Sequence, residues 1–177
     1  MSHAHRPWGY QPPDEGHAPD WKLHPQTQAI RAGTERSGFG ETSEALYLTS
    51  GFTYDNAEQA EHAFIDEVDH YVYSRFANPT VAMFEKRLAA IEGAEFCVAT
   101  ASGMAAMFAS VASIASAGDR VVASASMFSS CHVVLTEILP RWGIKVELVK
   151  GNDEKTWAAA LAQPTKAVFI ETPSNPL

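Results

Sequence analysis

The sequence predicts an α/β protein: an extended N-terminal arm followed by the first part of a mainly parallel sheet with helices on both faces. Two observations predict this class. From residue 96 onward, strand-like and helix-like segments alternate, which is typical of βαβ units. Residues 34–54 are polar, punctuated by glycine, and lack the apolar pattern of an independent core. The hydrophobic content of 46% lies in the range of globular proteins.

The N-terminal third of the chain contains few periodic segments. Residues 1–24 are rich in Pro, His and Gly without periodicity, which predicts a flexible tail. A short helix is predicted at residues 26–32, with Gly33 as its stop. A second helix is predicted at residues 56–67, with Asn56 as its N-cap. The predicted domains are therefore the tail, an arm over residues 25–72, and the first part of a larger domain over residues 73–177.

The strongest helix signal starts at Asn78, an N-cap residue followed by Pro79 at the first helical position. Apolar residues then recur at helical spacing until Gly93, which ends the run. Downstream, helices are predicted at residues 102–116, 129–142 and 153–162, and strands at residues 96–100, 120–124, 144–149 and 167–171.

Charge and composition exclude several classes of protein. The net charge of -8 and the pI near 5.3 argue against nucleic acid as the main partner. Lysine and arginine are scattered, so no membrane-binding basic patch is predicted. Residues 98–117 carry no charge, but few of them are strongly apolar, which predicts a buried helix packed on a sheet rather than a membrane span.

Neither a metal site nor a disulfide framework is predicted. Cys97 and Cys131 are two cysteines without a CxxC partner, typical of reduced core thiols in a cytosolic protein. The N-terminal histidines have irregular spacing that matches no structural zinc pattern. Dinucleotide, P-loop, HExxH and Gly-x-Ser-x-Gly motifs are absent from the sequence.

Three loops follow strands of the predicted sheet, where ligands bind in open parallel sheets. In the first, Ser102 and Gly103 precede a helix, whose N–H groups attract phosphate; a plain helix cap is the alternative. In the second, Phe128 is expected over a ligand at the first loop, or else in the core. In the third, Glu171 and Asn175 flank two prolines, which suits a rigid hydrogen-bonding site or a plain turn.

A fourth candidate lies upstream of the sheet. Tyr73 and Arg75 are two residues apart on a segment predicted to be extended, so their side chains are expected to point the same way. A tyrosine hydroxyl and a guanidinium on one side form a two-pronged phosphate clamp.

Taken together, these segments resemble one family. Residues 73–80 (YSRFANPT), 102–106 (SGMAA), Phe128 and residues 171–176 (ETPSNP) resemble the Cys/Met-metabolism family of pyridoxal-phosphate enzymes. The resemblance runs from about residue 25 to the end and implies the fold-type I large domain, of which this chain is expected to hold the incomplete first part. It implies pyridoxal 5'-phosphate as cofactor.

The resemblance also implies roles for the phosphate-binding residues. Gly103 and Met104 would donate backbone N–H groups to the cofactor phosphate, with the Ser102 hydroxyl beside them. Tyr73 and Arg75 would reach the phosphate of a neighbouring subunit's cofactor. The protein would then be a homodimer or homotetramer with shared active sites, and the arm would pack on a partner subunit.

Around the cofactor ring, the resemblance places Phe128 over the pyridine and Asn175 at the side of the 3-hydroxyl, with Glu171 as support. Lyases and cystathionine-forming members usually carry tyrosine where this chain has Phe128, so the phenylalanine disfavours a γ-lyase. Ser129 stands where many relatives have glycine, which leaves the turn after Phe128 less defined.

Within the family, residues 43–52 and 131–143 most resemble O-succinylhomoserine sulfhydrylases. The implied reaction is a γ-replacement in which sulfide displaces succinate and homocysteine forms. By the same resemblance the lysine that anchors the cofactor lies beyond Leu177, so the 177-residue chain alone is expected to be inactive, with no catalytic residue of its own. The alternatives are a cystathionine γ-synthase or γ-lyase, and a non-catalytic dimerising or phosphate-binding module. A cytoplasmic location is expected.

Overall fold

The computed structural model describes residues 23–175, and these form two compact units that divide between residues 99 and 100. The predicted flexible tail at residues 1–24 lies almost wholly outside the described residues. The predicted division into tail, arm and large domain stays a prediction.

In the N-terminal unit, three helices are joined by irregular chain. Helix α1 spans Pro25–Arg31, α2 spans Ala57–Phe64 and α3 spans Pro79–Glu92. The prediction for α1 is confirmed within one residue at each end. Helix α2 is shorter than predicted, because its last turn closes at Ile65 and Asp66 takes a left-handed conformation with φ of 58°.

Helix α3 begins where the sequence predicted. The Asn78 side chain accepts from the N–H of Thr80 at 2.9 Å, and Gly93 ends the helix in the left-handed conformation. Helix α1 packs on α3. A Cβ on Gly33 would lie 2.7 Å from the Lys86 Cβ, and the φ of Gly33 is +71°. Glycine is therefore required where the chain leaves α1 and crosses α3.

The arm after α1 is attached to α3 by side-chain hydrogen bonds. Arg87 donates to the Ala32 carbonyl at 2.9 Å and to the Thr34 hydroxyl at 3.0 Å, and it pairs with the Glu44 carboxylate. The pKa of Glu44 is lowered by hydrogen bonding from its own backbone and then by Arg87. Because these are point contacts rather than a packed face, the arm follows α3 without a core of its own.

The C-terminal unit contains a three-stranded parallel sheet in the order β2-β1-β3. Strand β1 is Arg120–Ser124, β2 is Lys145–Val149 and β3 is Ala167–Phe169, and Ala123 pairs with Leu148 and with Phe169. These three predicted strands are confirmed, although β3 ends at Phe169 rather than at the predicted residue 171. Central strand β1 is buried on both faces, which is typical of a parallel strand covered by helices.

Helices cover both faces of this sheet, as predicted. Helix α4 (Gly103–Ala112) and the helical segment after Phe128 pack on the face that presents Val121 and Ala123. Helix α6 (Glu154–Leu161) packs on the face of Val122 through Ala160 and Trp157. The segment after Phe128 comprises α5 (Ser129–Val133), a π-helical turn (Val134–Ile138) and a 3₁₀ turn (Leu139–Trp142).

Two predictions about this part of the chain are corrected. Residues 96–100 were predicted as a strand, but they are not one: Phe96 and Val98 are each 79% exposed. A strand exists only by pairing with a neighbour, and no strand of the described chain pairs with this segment. Helix α4 ends at Ala112 rather than near residue 116, and only one of its faces is covered.

None of the helices between residues 23 and 175 combines the length and the apolar character needed to cross a membrane.

Candidate functional site

The N-terminus of α4 presents free hydrogen-bond donors. The Ser102 hydroxyl accepts from the N–H of Ala105 at 3.2 Å, and the Ser102 carbonyl accepts from Ala106 at 3.1 Å. The N–H groups of Gly103 and Met104 have no partner among the described residues. Ser102 is therefore a helix cap, which was the alternative prediction for this loop. The N–H groups of Gly103 and Met104, which follow it, remain available for an anion.

Gly103 is not required by the fold of this unit. It is exposed, its φ is not in the left-handed region, and a Cβ there would meet nothing within 4 Å. A side chain at this position would therefore extend into open space beside the first residues of α4. The absence of a side chain thus keeps the two free N–H groups accessible.

Phe128 lies in the loop after β1, immediately before α5. The residue is 39% exposed and is not part of the buried cluster on one face of the sheet, so the alternative that Phe128 belongs to the core is excluded. Its carbonyl accepts from the His132 N–H at 3.0 Å, which holds the residue at the start of the helix.

Glu171 connects the loops after β1 and β3. Its Oε2 accepts from the backbone N–H of Phe128 at 2.6 Å, across 43 residues of sequence. Strands β1 and β3 are neighbours in the sheet, and this is why two distant segments meet. The carboxylate acts as a brace between the two loops.

These loops surround one cavity of about 590 Å³ in the C-terminal unit. It is lined by six predicted site residues and four apolar neighbours: Ser102, Gly103, Met104, Phe128, Glu171, Asn175, Met107, Cys131, Phe169 and Ile170. A cavity of this size, mainly apolar with a few polar groups, is typical of small-molecule sites.

Cys131 and Met107 were not predicted as site residues. Cys131 follows Phe128 by three residues and so lies on the same side of the helical segment; this spacing was the available signal. Burial raises the pKa of the Cys131 thiol, and the negative charge of Glu171 raises it further. The thiol is therefore protonated at neutral pH.

Tyr73 and Arg75 belong to the N-terminal unit, and the prediction that they lie on an extended segment is wrong. The Tyr73 carbonyl accepts from the N–H groups of Phe76 and Ala77, which makes residues 73–77 a turn. The Arg75 guanidinium carbon lies 5.3 Å from the Tyr73 ring centroid and 5.2 Å from that of Phe76. The Tyr73 and Arg75 side chains lie next to each other, as predicted, but the reason is that the Arg75 guanidinium stacks on the Tyr73 ring.

The neighbouring residues of this turn hold the arm in place. Asn78 donates to the Tyr47 carbonyl at 3.0 Å and to the Ser74 hydroxyl at 2.9 Å. The Thr80 hydroxyl donates to the Ala45 carbonyl and accepts from the Tyr47 N–H. Asn78 is buried, whereas Tyr73 and Arg75 are exposed and available to a ligand.

Comparison with known proteins identifies the family. The chain matches the Cys/Met metabolism PLP-dependent enzyme family over residues 26–177, and it belongs to that family. It is 58% identical over 151 residues to an O-succinylhomoserine sulfhydrylase of Mycobacterium tuberculosis, covering 85% of this chain and 37% of that protein. It is 36% identical over 155 residues to an L-methionine gamma-lyase of Treponema denticola, covering 88% of this chain and 39% of that protein.

Solved structures agree with the fold. An O-acetylhomoserine (thiol)-lyase of Campylobacter jejuni, which carries N'-pyridoxyl-lysine-5'-monophosphate, superposes with a TM-score of 0.79 at 30% identity. The superposition covers 87% of this chain and 38% of the Campylobacter jejuni chain. Cystathionine gamma-lyase of Lactobacillus plantarum superposes with a TM-score of 0.75 at 31% identity. This superposition covers 88% of this chain and 38% of that protein. The predicted fold type and cofactor are confirmed at the level of the family. The chain spans 37–39% of the length of the two curated relatives named above.

The residues present fit pyridoxal phosphate. Two free N–H groups at the start of a ten-residue helix suit a phosphate. The exposed ring of Phe128 suits the flat pyridine, and Asn175 supplies an amide that can bond a ring substituent. The cavity is large enough for the cofactor and a small amino-acid substrate.

Proposed function

We propose that this protein is part of a pyridoxal-phosphate-dependent transferase that converts O-succinylhomoserine and sulfide to homocysteine. The observation that carries the proposal is the 590 Å³ cavity, around which the free N–H groups of Gly103 and Met104, the Phe128 ring and Asn175 converge. The 58% identity to an O-succinylhomoserine sulfhydrylase supports the choice of reaction within the family.

In this proposal the chain's own residues bind and orient the cofactor. The N–H groups of Gly103 and Met104 hold its phosphate, assisted by the Ser102 hydroxyl, whose hydrogen is still free to donate. Phe128 packs over the ring, and Asn175 bonds the 3-hydroxyl. When bound, pyridoxal phosphate supplies the electron sink that makes protons of the amino-acid substrate removable.

Phe128 bears on the type of reaction. A phenylalanine side chain has no proton to donate or accept, so the ring over the cofactor packs without assisting proton transfer. This favours replacement by sulfide over the γ-lyase alternative.

We propose that Tyr73 and Arg75 bind the cofactor phosphate of a second copy of the chain, which makes the active site shared within a homodimer or homotetramer. Both side chains are exposed at the turn. Apolar side chains of the same unit are exposed as well, namely Leu46, Leu48, Phe76 and Phe84. A unit with this much exposed apolar surface is suited to packing on a partner subunit.

Two finer proposals concern activity and location. Residues 1–177 alone are expected not to turn over substrate, because they span 37–39% of the relatives' length and the resemblance places the cofactor-anchoring lysine later in the chain. The free thiols of Cys97 and Cys131 support a cytoplasmic location.

The test is product analysis with the full-length protein and pyridoxal phosphate. O-succinylhomoserine is supplied with sulfide or with cysteine, and L-methionine and cystathionine are supplied alone. The expected result is homocysteine from the sulfide reaction as the main product. Cystathionine from the cysteine reaction would identify a synthase instead, 2-oxo acid from methionine or cystathionine alone would identify a γ-lyase, and no product with any substrate would support the non-catalytic module.

A further inference from the structure

Glu171 has a structural role that the family resemblance does not assign, and the importance of this role for the cofactor rests on the proposed function. The carboxylate is one of the residues lining the cavity, yet its Oε2 accepts from the Phe128 N–H at 2.6 Å. A carboxylate that accepts from a backbone N–H makes a short and strong hydrogen bond.

Phe128 depends on such an anchor because its ring is not held by the core. The residue is 39% exposed, and the loop that carries it connects the end of β1 to a five-residue α-helical turn. The backbone of the residue therefore determines where the ring lies, and the Phe128 N–H is fixed by Glu171.

The sheet gives the brace a rigid base. Ala123 near the end of β1 pairs with Phe169 at the end of β3, so Phe128 and Glu171 leave adjacent, hydrogen-bonded strands. Glu171 also borders a second cavity of about 310 Å³ that includes Trp157 and Val168. Glu171 and Ile170 thus line both cavities, and the Glu171 carboxylate accepts from the Phe128 loop.

We infer that Glu171 is a positioning residue, which acts on the cofactor through the orientation of Phe128 rather than by contact with the cofactor. The predicted support of Asn175 by Glu171 is thereby refined: among the described residues, the hydrogen-bond partner of the carboxylate is Phe128.

The test is a double-mutant cycle in the full-length protein, with the Kd of pyridoxal phosphate and the visible circular dichroism of the bound cofactor as readouts. Glu171→Ala is expected to raise the Kd about tenfold and to weaken the dichroic band, because the ring loses its anchor. Glu171→Gln, whose side-chain carbonyl still accepts, is expected to restore most of both. In a Phe128→Leu background, Glu171→Ala is expected to add little.

Glu154→Ala is the matched control, since it removes an exposed carboxylate from the same unit. If Glu171→Ala does not fold, Glu171→Met replaces it, because methionine keeps the length of the side chain without the carboxylate. Additive effects of the two substitutions, or a Glu171→Gln variant as weak as Glu171→Ala, would overturn the positioning role. If the unmutated protein binds no pyridoxal phosphate, the proposed function itself fails, which distinguishes the two outcomes.

Discussion

In the C-terminal unit a central strand is buried on both faces, whereas in the N-terminal unit side-chain hydrogen bonds attach an arm to a helix. Of the sixteen buried apolar residues in the described part of the chain, three lie in the N-terminal unit. The two units therefore differ in how they are stabilised. A packed sheet fixes the loops around the cavity, whereas the weakly packed arm leaves apolar side chains exposed.

The largest effect is expected from a substitution in the packed core of the C-terminal unit. Leu135 is fully buried in the cluster on one face of the sheet. Leu135→Ala is expected to lower the free energy of unfolding by about 2–5 kcal/mol, because it leaves a cavity among packed side chains. Urea unfolding of the full-length protein measures it, with Leu161→Ala, at a residue 43% exposed, as the control. Equal losses in the two variants would show that this unit is not stabilised by its core.

The next prediction tests the hydrogen-bonded arm. Asn78→Ala removes the cap of α3, the bond to the Tyr47 carbonyl of the arm and the bond to the Ser74 hydroxyl of the turn, with an expected loss of about 1–2 kcal/mol for the cap alone. Asn78→Asp keeps the acceptor for the Thr80 N–H but has no donor for the Tyr47 carbonyl. Hydrogen exchange is expected to be faster around residues 45–49 in both variants, and faster at the start of α3 only in Asn78→Ala. Unchanged exchange at residues 45–49 would contradict the bracing role.

A substitution at Gly103 separates binding from folding. Gly103→Ala is expected to leave the melting temperature unchanged or slightly higher, since the position has room for a Cβ and alanine favours a helix. The Kd of pyridoxal phosphate is expected to rise about tenfold, because the methyl group intrudes between the phosphate and the free N–H groups. Ala106→Gly, an exposed position on the same helix, is the control. Unaltered affinity in Gly103→Ala would place the phosphate elsewhere.

The smallest expected effect concerns the buried thiol. Because burial raises the pKa of Cys131 in the folded state, its contribution to stability is fully present below the unfolded thiol pKa of about 8.5. That contribution is lost as the pH rises through the folded pKa. In a Cys97→Ala background, alkylation of Cys131 by iodoacetamide is expected to be slow at pH 7 and to accelerate at alkaline pH. Rapid alkylation at pH 7 would contradict the buried, protonated thiol.

Local signals in the sequence predicted most element boundaries. Features that depend on contacts beyond the local pattern were not predicted. Asn78, Pro79 and Gly93 specify the ends of α3 through capping, which depends on a few neighbouring residues. Residues 96–100 carry a strand-like pattern, but a strand needs a partner that the pattern cannot supply. The turn at residues 73–77 depends on the Tyr73 carbonyl accepting two hydrogen bonds, which the spacing of Tyr73 and Arg75 does not reveal.

The candidate site was predictable where topology brings loops together. Phe128 follows, and Glu171 ends, a segment predicted as a strand of one parallel sheet, and the carboxyl ends of such strands share one edge. Ser102 was predicted after a strand that the structure does not contain, so its place was indicated by its capping pattern and the family resemblance instead. The bond from the Phe128 N–H to Glu171 was not predictable, because it depends on the register between β1 and β3. Cys131 could be inferred only from its spacing of three residues from Phe128, because its place in the cavity depends on which side of its helix faces the sheet.

The most direct measurement is a crystal structure of the full-length protein grown with pyridoxal phosphate. The expected result is a phosphate within hydrogen-bond distance of the N–H groups of Gly103 and Met104, with the Phe128 ring over the pyridine. A cofactor bound away from the α4 N-terminus, or a cavity that stays without cofactor at saturating concentration, would contradict the assignment of this site.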